Sequence, residues 1–206
     1  MGEKKIYQLD ALKAPSLKEG RQRFSDRKDI EIWKAYCAGD DEAFVYIYNE
    51  YVHRLFTFGV QFASRAIVLD AIQDLFLYLK QRQGKDQQVE KIKPYLYKAL
   101  HRTLMSILKK EARVKSFNTL NDTPDHWAIS LTSDMKLIDE ENTAIQRVKL
   151  TETLNQLSEK QRQAIILYYY EGFTFEEIKD IMNVTDKSSA RKLVGRALDS
   201  MRHIFV

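Results

Sequence analysis

Between Lys187 and Arg202 the chain sets cations and short hydroxyls at helical spacing. At about 100° per residue, Lys187, Ser188, Arg191, Lys192, Gly195 and Arg202 fall on one side of a helix, flanked by Ser189 and Arg196. Ala190, Leu193, Val194, Ala197 and Met201 fall on the other. Guanidinium and ammonium groups bind phosphates and the O6/N7 edge of guanine, and serine hydroxyls pair with several base edges. The chemistry of this set is recognition of a polyanion, with no bond made or broken. Gly195 in mid-helix costs about 1 kcal/mol relative to alanine; it fits either a close approach to a groove or a tolerated substitution.

A second set lies upstream. Lys98, Arg102, Lys109 and Arg113 fall within about 60° of one another on a helix, and Tyr95 joins them. Lys93 stands at the head of the same stretch, and Leu96, Leu100, Thr103, Leu104, Ile107 and Leu108 make its apolar stripe. Cations beside an aromatic ring suit a nucleic-acid backbone and unstacked bases. A third set differs in sign. Asp70, Gln73, Asp74 and Leu77 occupy successive turns, opposite Leu69, Ile72, Phe76 and Leu79. An acidic, amide-bearing stripe repels phosphate and suits a protein partner with basic residues. Taken singly, each charged face also fits a merely solvated helix surface; two basic faces in separate helical segments favour nucleic acid.

The elements that must position these sets are helical. Asp29–Ala38 reads as a short helix stopped by Gly39, and Asp40 or Asp41 caps the next. In that helix Phe44, Ile47, Tyr48, Tyr51, Leu55, Phe58 and Phe62 recur at three- and four-residue steps. A third helix is expected from about Ala66 to Gln81, then a polar loop opened by Gly84. A fourth begins around Pro94, which the first turn tolerates, and runs to about Val114. Residues 116–142 lose the periodicity and carry six acids against one lysine, which reads as a linker. Helices resume near Glu141. Ser158 with Gln161, and Thr174 with Glu177, form two capping boxes, with Gly172 as a stop between them. The segments from Thr174 onward read as a short helix, the turn Asn183–Asp186 and a long basic helix, the outline of a helix-turn-helix.

Composition narrows the classes. The chain has 206 residues, with seven glycines, three prolines and 30% charged residues, which suits an all-α protein of one large domain or two small ones; the acidic linker over 116–142 favours two. The net charge of +4 is modest but unevenly placed. Residues 29–79 carry three basic and eight acidic side chains; residues 80–115 carry eleven basic and three acidic. Residues 1–28 read as a mobile basic arm. The single cysteine, Cys37, fits a reducing cytoplasm, and no leader or membrane-spanning segment is expected. No nucleophile–base pair, phosphate loop or metal-ligand cluster stands out, so neither an enzyme, nor a cofactor, nor a small-molecule substrate is expected.

The blocks AFVYIYNEYVHRLFTFG, DAIQDLFLYL, IKPYLYKALHRTLMSILKK and LNQLSEKQRQAIILYYYEGFTFEEIKDIM, in that order and followed by a terminal RAL helix, resemble sigma-70 family factors of the extracytoplasmic-function (ECF) type, which keep only regions 2 and 4. The resemblance implies a basic arm over 1–26, region 2 over 27–113, a linker over 114–142 and region 4 over 143–206. It implies an alternative sigma factor that binds core RNA polymerase and directs initiation at promoter DNA. Asp70, Gln73 and Asp74 would contact the clamp helices of the largest subunit, with Phe76 mostly packing and Leu77 beside them; region 4 would meet the flap. Lys93, Tyr95, Lys98, Arg102, Lys109 and Arg113 would serve the −10 element. Lys187, Ser188, Ser189, Arg191, Lys192 and Arg196 would serve the −35 element. An anti-sigma protein, often membrane-bound, is implied as a further partner. The chain departs from the family pattern at Leu69, where glutamate is usual, at Lys80, near which tryptophan is common, at Arg102-Thr103, where Arg-Asn is frequent, and at Lys179, where a small residue is usual. The competing reading of the C-terminal half is a dimeric regulator that binds an operator without polymerase.

Overall fold

The computed structural model describes residues 23–85, 88–118, 150 and 152–205, which form helices joined by turns and short irregular segments, with no strand among them. Most of the basic arm, the centre of the polar loop, the linker beyond residue 118, the resumption of helix near Glu141 and the side chain of Arg113 lie outside the described residues.

Four helices make the first unit: α1 (Asp29–Cys37), α2 (Asp41–Gly59), α3 (Arg65–Arg82) and α4 (Ile92–Asn118). Their ends are set locally. Gly39 takes φ 90° after α1, a conformation that glycine adopts without penalty. The Asp40 carboxylate then accepts the N–H groups of Glu42 (2.9 Å) and Ala43 (3.3 Å) at the head of α2. Ser64 caps α3 through the N–H of Ile67. The first N–H of α4, that of Ile92, donates to Asp29 Oδ2 at 2.8 Å, so the first turn of α1 supplies the cap of α4. Pro94 lies in the first turn of α4, as the spacing predicts.

Apolar faces of all four helices close on one core, with Trp33, Tyr36, Ile47, Leu55, Phe58, Leu79, Leu96 and Leu100 almost fully buried. The Tyr36 hydroxyl spends its donor on the Leu79 carbonyl at 2.6 Å, and burial pushes its pKa up to about 12. At the α2–α3 crossing, a Cβ on Gly59 would lie 2.5 Å from Val68 Cγ1. The small residue is what lets the two helices approach.

The second unit is built from α5 (Glu159–Ile165), a π-helical turn (Ile166–Tyr170), α6 (Phe175–Met182) and α7 (Lys187–Phe205). Both capping boxes form as expected. Ser158 and Gln161 exchange bonds at 3.0 and 3.4 Å, and Thr174 and Glu177 at 2.9 and 3.3 Å. After Ile165 the α-helical repeat ends: the turn Ile166–Tyr170 widens to π, and Tyr169 is exposed.

The two units touch. α4 packs on its other side against α6, and Tyr97, Phe173 and His101 are buried at the seam.

Candidate nucleic-acid interface

α6, a turn and α7 form the helix-turn-helix. Asn183 turns the chain with φ 52°, and its N–H closes on the Lys179 carbonyl; asparagine takes this left-handed conformation more readily than most residues. Asp186 starts α7: its Oδ1 accepts the Ser189 N–H at 2.8 Å and the Ser188 hydroxyl at 2.6 Å. The Ser188 hydrogen bond and the Ser189 N–H hold the Asp186 carboxyl below its ordinary pKa.

α7 divides as its pattern predicts. Ala190, Val194 and Ala197 are buried, with Leu193 and Met201 packed beside them. Lys187, Ser188, Arg191, Lys192 and Arg196 are exposed, and Ser189 is half-buried. Lys187, Arg191, Lys192 and Arg196 make no ion pair among the described residues, whereas Arg202 lies 3.7 Å from Asp199. The Ser188 hydrogen is committed to Asp186, so its oxygen is left to accept. A Cβ on Gly195 would meet nothing within 4 Å, so packing within the chain does not require glycine there. Lys179 is half-buried, bonded to Glu176 and 3.6 Å from Asp180.

On α4 the six proposed residues separate. Lys98 is half-buried, and Arg102 and Lys109 are exposed. Tyr95 meets Trp33 edge-on at 5.1 Å, so one edge of the ring is held by the first unit's core. Lys93 does not join this stripe. Five residues ahead of Lys98, it lies about 140° away round the helix and faces the second unit. Its Nζ donates to the Glu171 carbonyl at 2.5 Å and pairs with Glu171 Oε2 at 3.2 Å. It also sits 4.8 Å from the centroid of Phe173.

Sequence reasoning passed over the rest of this seam. The Tyr97 hydroxyl donates to Glu171 Oε2 at 2.6 Å; burial, then the Glu171 charge and hydrogen bond, raise the phenol pKa. His101 Nε2 lies 3.2 Å from Gln163 Oε1. Burial lowers the His101 pKa against the opposing pull of Gln163 and Glu159. At the exposed rim, Lys91 pairs with Glu177 at 2.7 Å. Lys93, Tyr97 and His101 recur at i, i+4 and i+8, one face of a helix. That spacing was the available signal.

On α3, Asp70 and Asp74 are exposed and Gln73 is half-buried. Phe76 is buried against Phe44 and Tyr48, and Leu77 is 50% exposed. Leu69 departs from the expected apolar side: it is also 50% exposed. The buried arc centres on Val68, Ile72, Leu75 and Leu79, and Leu69 lies about 90° from that centre. The open face of α3 therefore combines Leu69 and Leu77 with Gln73, Asp70 and Asp74.

Among the described residues no helix is long and apolar enough to cross a membrane, and no group of three or more His, Cys, Asp and Glu side chains could hold a metal ion. Residues 147–201 match the family model of sigma-70 region 4. No curated protein matches the sequence. The fold is similar to that of the sigma factor RpoE from Bartonella quintana, solved in complex with the anti-sigma factor NepR. The TM-score is 0.58 at 19% identity, covering 79% of this chain and 96% of that one.

Proposed function

We infer that this chain is a sigma-70 family factor of the ECF type, which binds core RNA polymerase and directs promoter-specific initiation. The observation that carries the reading is the capped helix-turn-helix over residues that match region 4, with four cations of α7 that make no ion pair among the described residues. The first unit supports it with a different surface. The open face of α3 joins two half-exposed leucines to Asp70, Gln73 and Asp74, a mixture suited to a basic protein helix and unsuited to phosphate. The work is positional and not enzymatic. Core polymerase takes the α3 face, the α7 face reads the −35 duplex, and Lys98, Arg102 and Lys109 with Tyr95 serve the −10 element. Phosphate contacts set register, and base contacts specify. The modest net charge of +4 is adequate because polymerase supplies much of the assembly. The free operator-binding regulator is the less favoured reading.

The packed seam has a consequence for this role. The two promoter elements lie about 25 base pairs apart, roughly 85 Å along B-DNA. α4 touches α6 directly, so both elements are reached together only after the units part. RpoE of Bartonella quintana was solved with an anti-sigma factor, and a partner of that kind is proposed here, acting on a protein that works in the cytoplasm.

Co-purification with core RNA polymerase and promoter-specific transcription in vitro test the reading. Asp70→Arg at its exposed site is expected to weaken core binding at least about tenfold, equivalent to 1.4 kcal/mol, with the melting curve unchanged. Specific duplex binding by the chain alone, with no polymerase association, would identify the regulator instead.

A further inference from the structure

One cation of α7 differs from its neighbours in what lies beneath it. The Arg191 guanidinium carbon is 5.2 Å from the centroid of the Phe175 ring. Phe175 in turn lies flat on Tyr168, with centroids 4.6 Å apart and planes within 8°. The three form a continuous stack from the π turn, through the first residue of α6, to the second turn of α7. Each layer has a local cause. The π turn adds one residue to its repeat and so rotates Tyr168 relative to an α-helix; such insertions recur at functional sites. The Thr174–Glu177 capping box fixes the start of α6 and with it Phe175. The stack walls an open groove of about 520 Å³, lined also by Gly172, Phe173 and Lys187.

A surface arginine loses rotamer freedom when it binds, and a planar guanidinium stacked on a ring gives up part of that freedom before any ligand arrives. A guanidinium that lays one face on a ring keeps its N–H edge free for a ligand. That is the geometry a bidentate bond to guanine O6 and N7 requires. Lys192 and Arg196 have neither an aromatic platform nor an ion pair among the described residues, which suits contacts to phosphate. Lys187, one turn before Arg191, lies on the rim of the same groove.

We propose that the Tyr168–Phe175 stack is a platform that pre-orients Arg191 as the guanine-reading residue of the −35 interface, Phe175 being a positioning residue and Arg191 the one that determines specificity. The proposal rests on the sigma-factor reading above. It separates one base-reading cation from several phosphate-binding ones on a single helix.

The test uses the full chain with core polymerase on promoters randomised through the −35 element, the −10 element being fixed. The wild-type holoenzyme is expected to select guanine at one position. Phe175→Leu and Arg191→Ala should each reduce that preference about fivefold or more, the span of a bidentate contact, with core binding and the −10 preference unaltered. Phe175→Trp, which keeps a ring face, should retain it, and the double variant should lose no more than Arg191→Ala alone. Wild-type base selection in Phe175→Leu, or losses that multiply in the double variant, would overturn the platform. NMR of the free chain gives a readout independent of polymerase. The ring should shift the Arg191 side-chain protons upfield, Phe175→Leu should abolish the shift, and absence of the shift in the wild type would also overturn the proposal. The shift present, with no promoter selected by the wild-type holoenzyme, would locate the failure in the sigma reading and remove the guanine-reading role with it.

Discussion

Glu171 has a side chain only 5% exposed, yet its Oε2 is shared by the Tyr97 hydroxyl and Lys93, while Oε1 has no hydrogen-bond partner among the described residues. A buried carboxylate is costly unless paired and hydrogen-bonded, so each of its two donors matters. Tyr97→Phe removes one with little change of shape and leaves the charge in place. It is expected to destabilise the folded chain by about 1.5–3 kcal/mol, the range for a hydrogen bond to a charged group. Urea unfolding followed by circular dichroism checks this; a change under about 0.5 kcal/mol, the scale of an ordinary surface substitution, would mean the contact contributes little. This cluster is not legible in the sequence, because its partners are 74 and 78 residues apart. Lys93 stands at the head of the stretch that carries the Lys98 stripe, yet helical phase alone sets it apart. The faces of α7 were legible because one helix with a strict apolar period defines both sides at once. The platform under Arg191 was not, since it depends on a π turn that no apolar period announces.

The ends of helices are the most legible features of this chain, because a cap is written within four residues. Asp40, Ser158 and Thr174 all stand at caps in the structure, and the helix expected at Ala66–Gln81 spans Arg65–Arg82. The cap of α4 by Asp29 was not legible, since it spans 63 residues. Burial at the margins of a face was less legible than its centre: Leu69, at the edge of the α3 arc, is open to solvent although apolar. Two substitutions probe element placement. Thr174→Ala removes the hydroxyl of a complete capping box and is expected to cost about 1 kcal/mol. Gly59→Ala puts a methyl against a β-branched side chain that is stiff at χ1. It should cost about 1–3 kcal/mol, as overpacking does, by moving α2 from α3. Thermal melts give both numbers. A neutral Gly59→Ala would mean that the crossing relaxes without penalty.

At the scale of the whole molecule, the seam between the units combines an exposed pair with buried groups, and their responses differ. Lys91 is 65% exposed in its pair with Glu177, so that contact is worth little and is screened by salt. His101 is buried between Gln163 and the Phe62 ring, the two rings nearly perpendicular with centroids 6.1 Å apart, with Glu159 the nearby charge that favours its protonation. Burial outweighs Gln163 and Glu159 and lowers its pKa from 6.5. When the units part, the ring regains water and its ordinary pKa, so the parted state binds the proton more readily. The packed state therefore keeps the full His101 contribution above that ordinary value. It loses it progressively as pH falls below 6.5 toward the lowered pKa. Glu177 acts in a separate window. Burial raises its pKa, but hydrogen bonds from Lys91 and Thr174 outweigh that and hold it below 4.5. Its contribution is complete above that value and is lost as pH falls through the lowered one; part of it belongs to the α6 cap and not to the seam. Acidification from about pH 7.5 to about pH 5.5 enters the histidine window and stops above that of Glu177. A pair of fluorophores on α2 and α7 should report increased separation over that range, and little change when salt is raised at neutral pH. His101→Gln keeps a polar group beside Gln163 and removes the titration, so it should flatten the acid response. An equal response in wild type and variant would assign the opening to other groups.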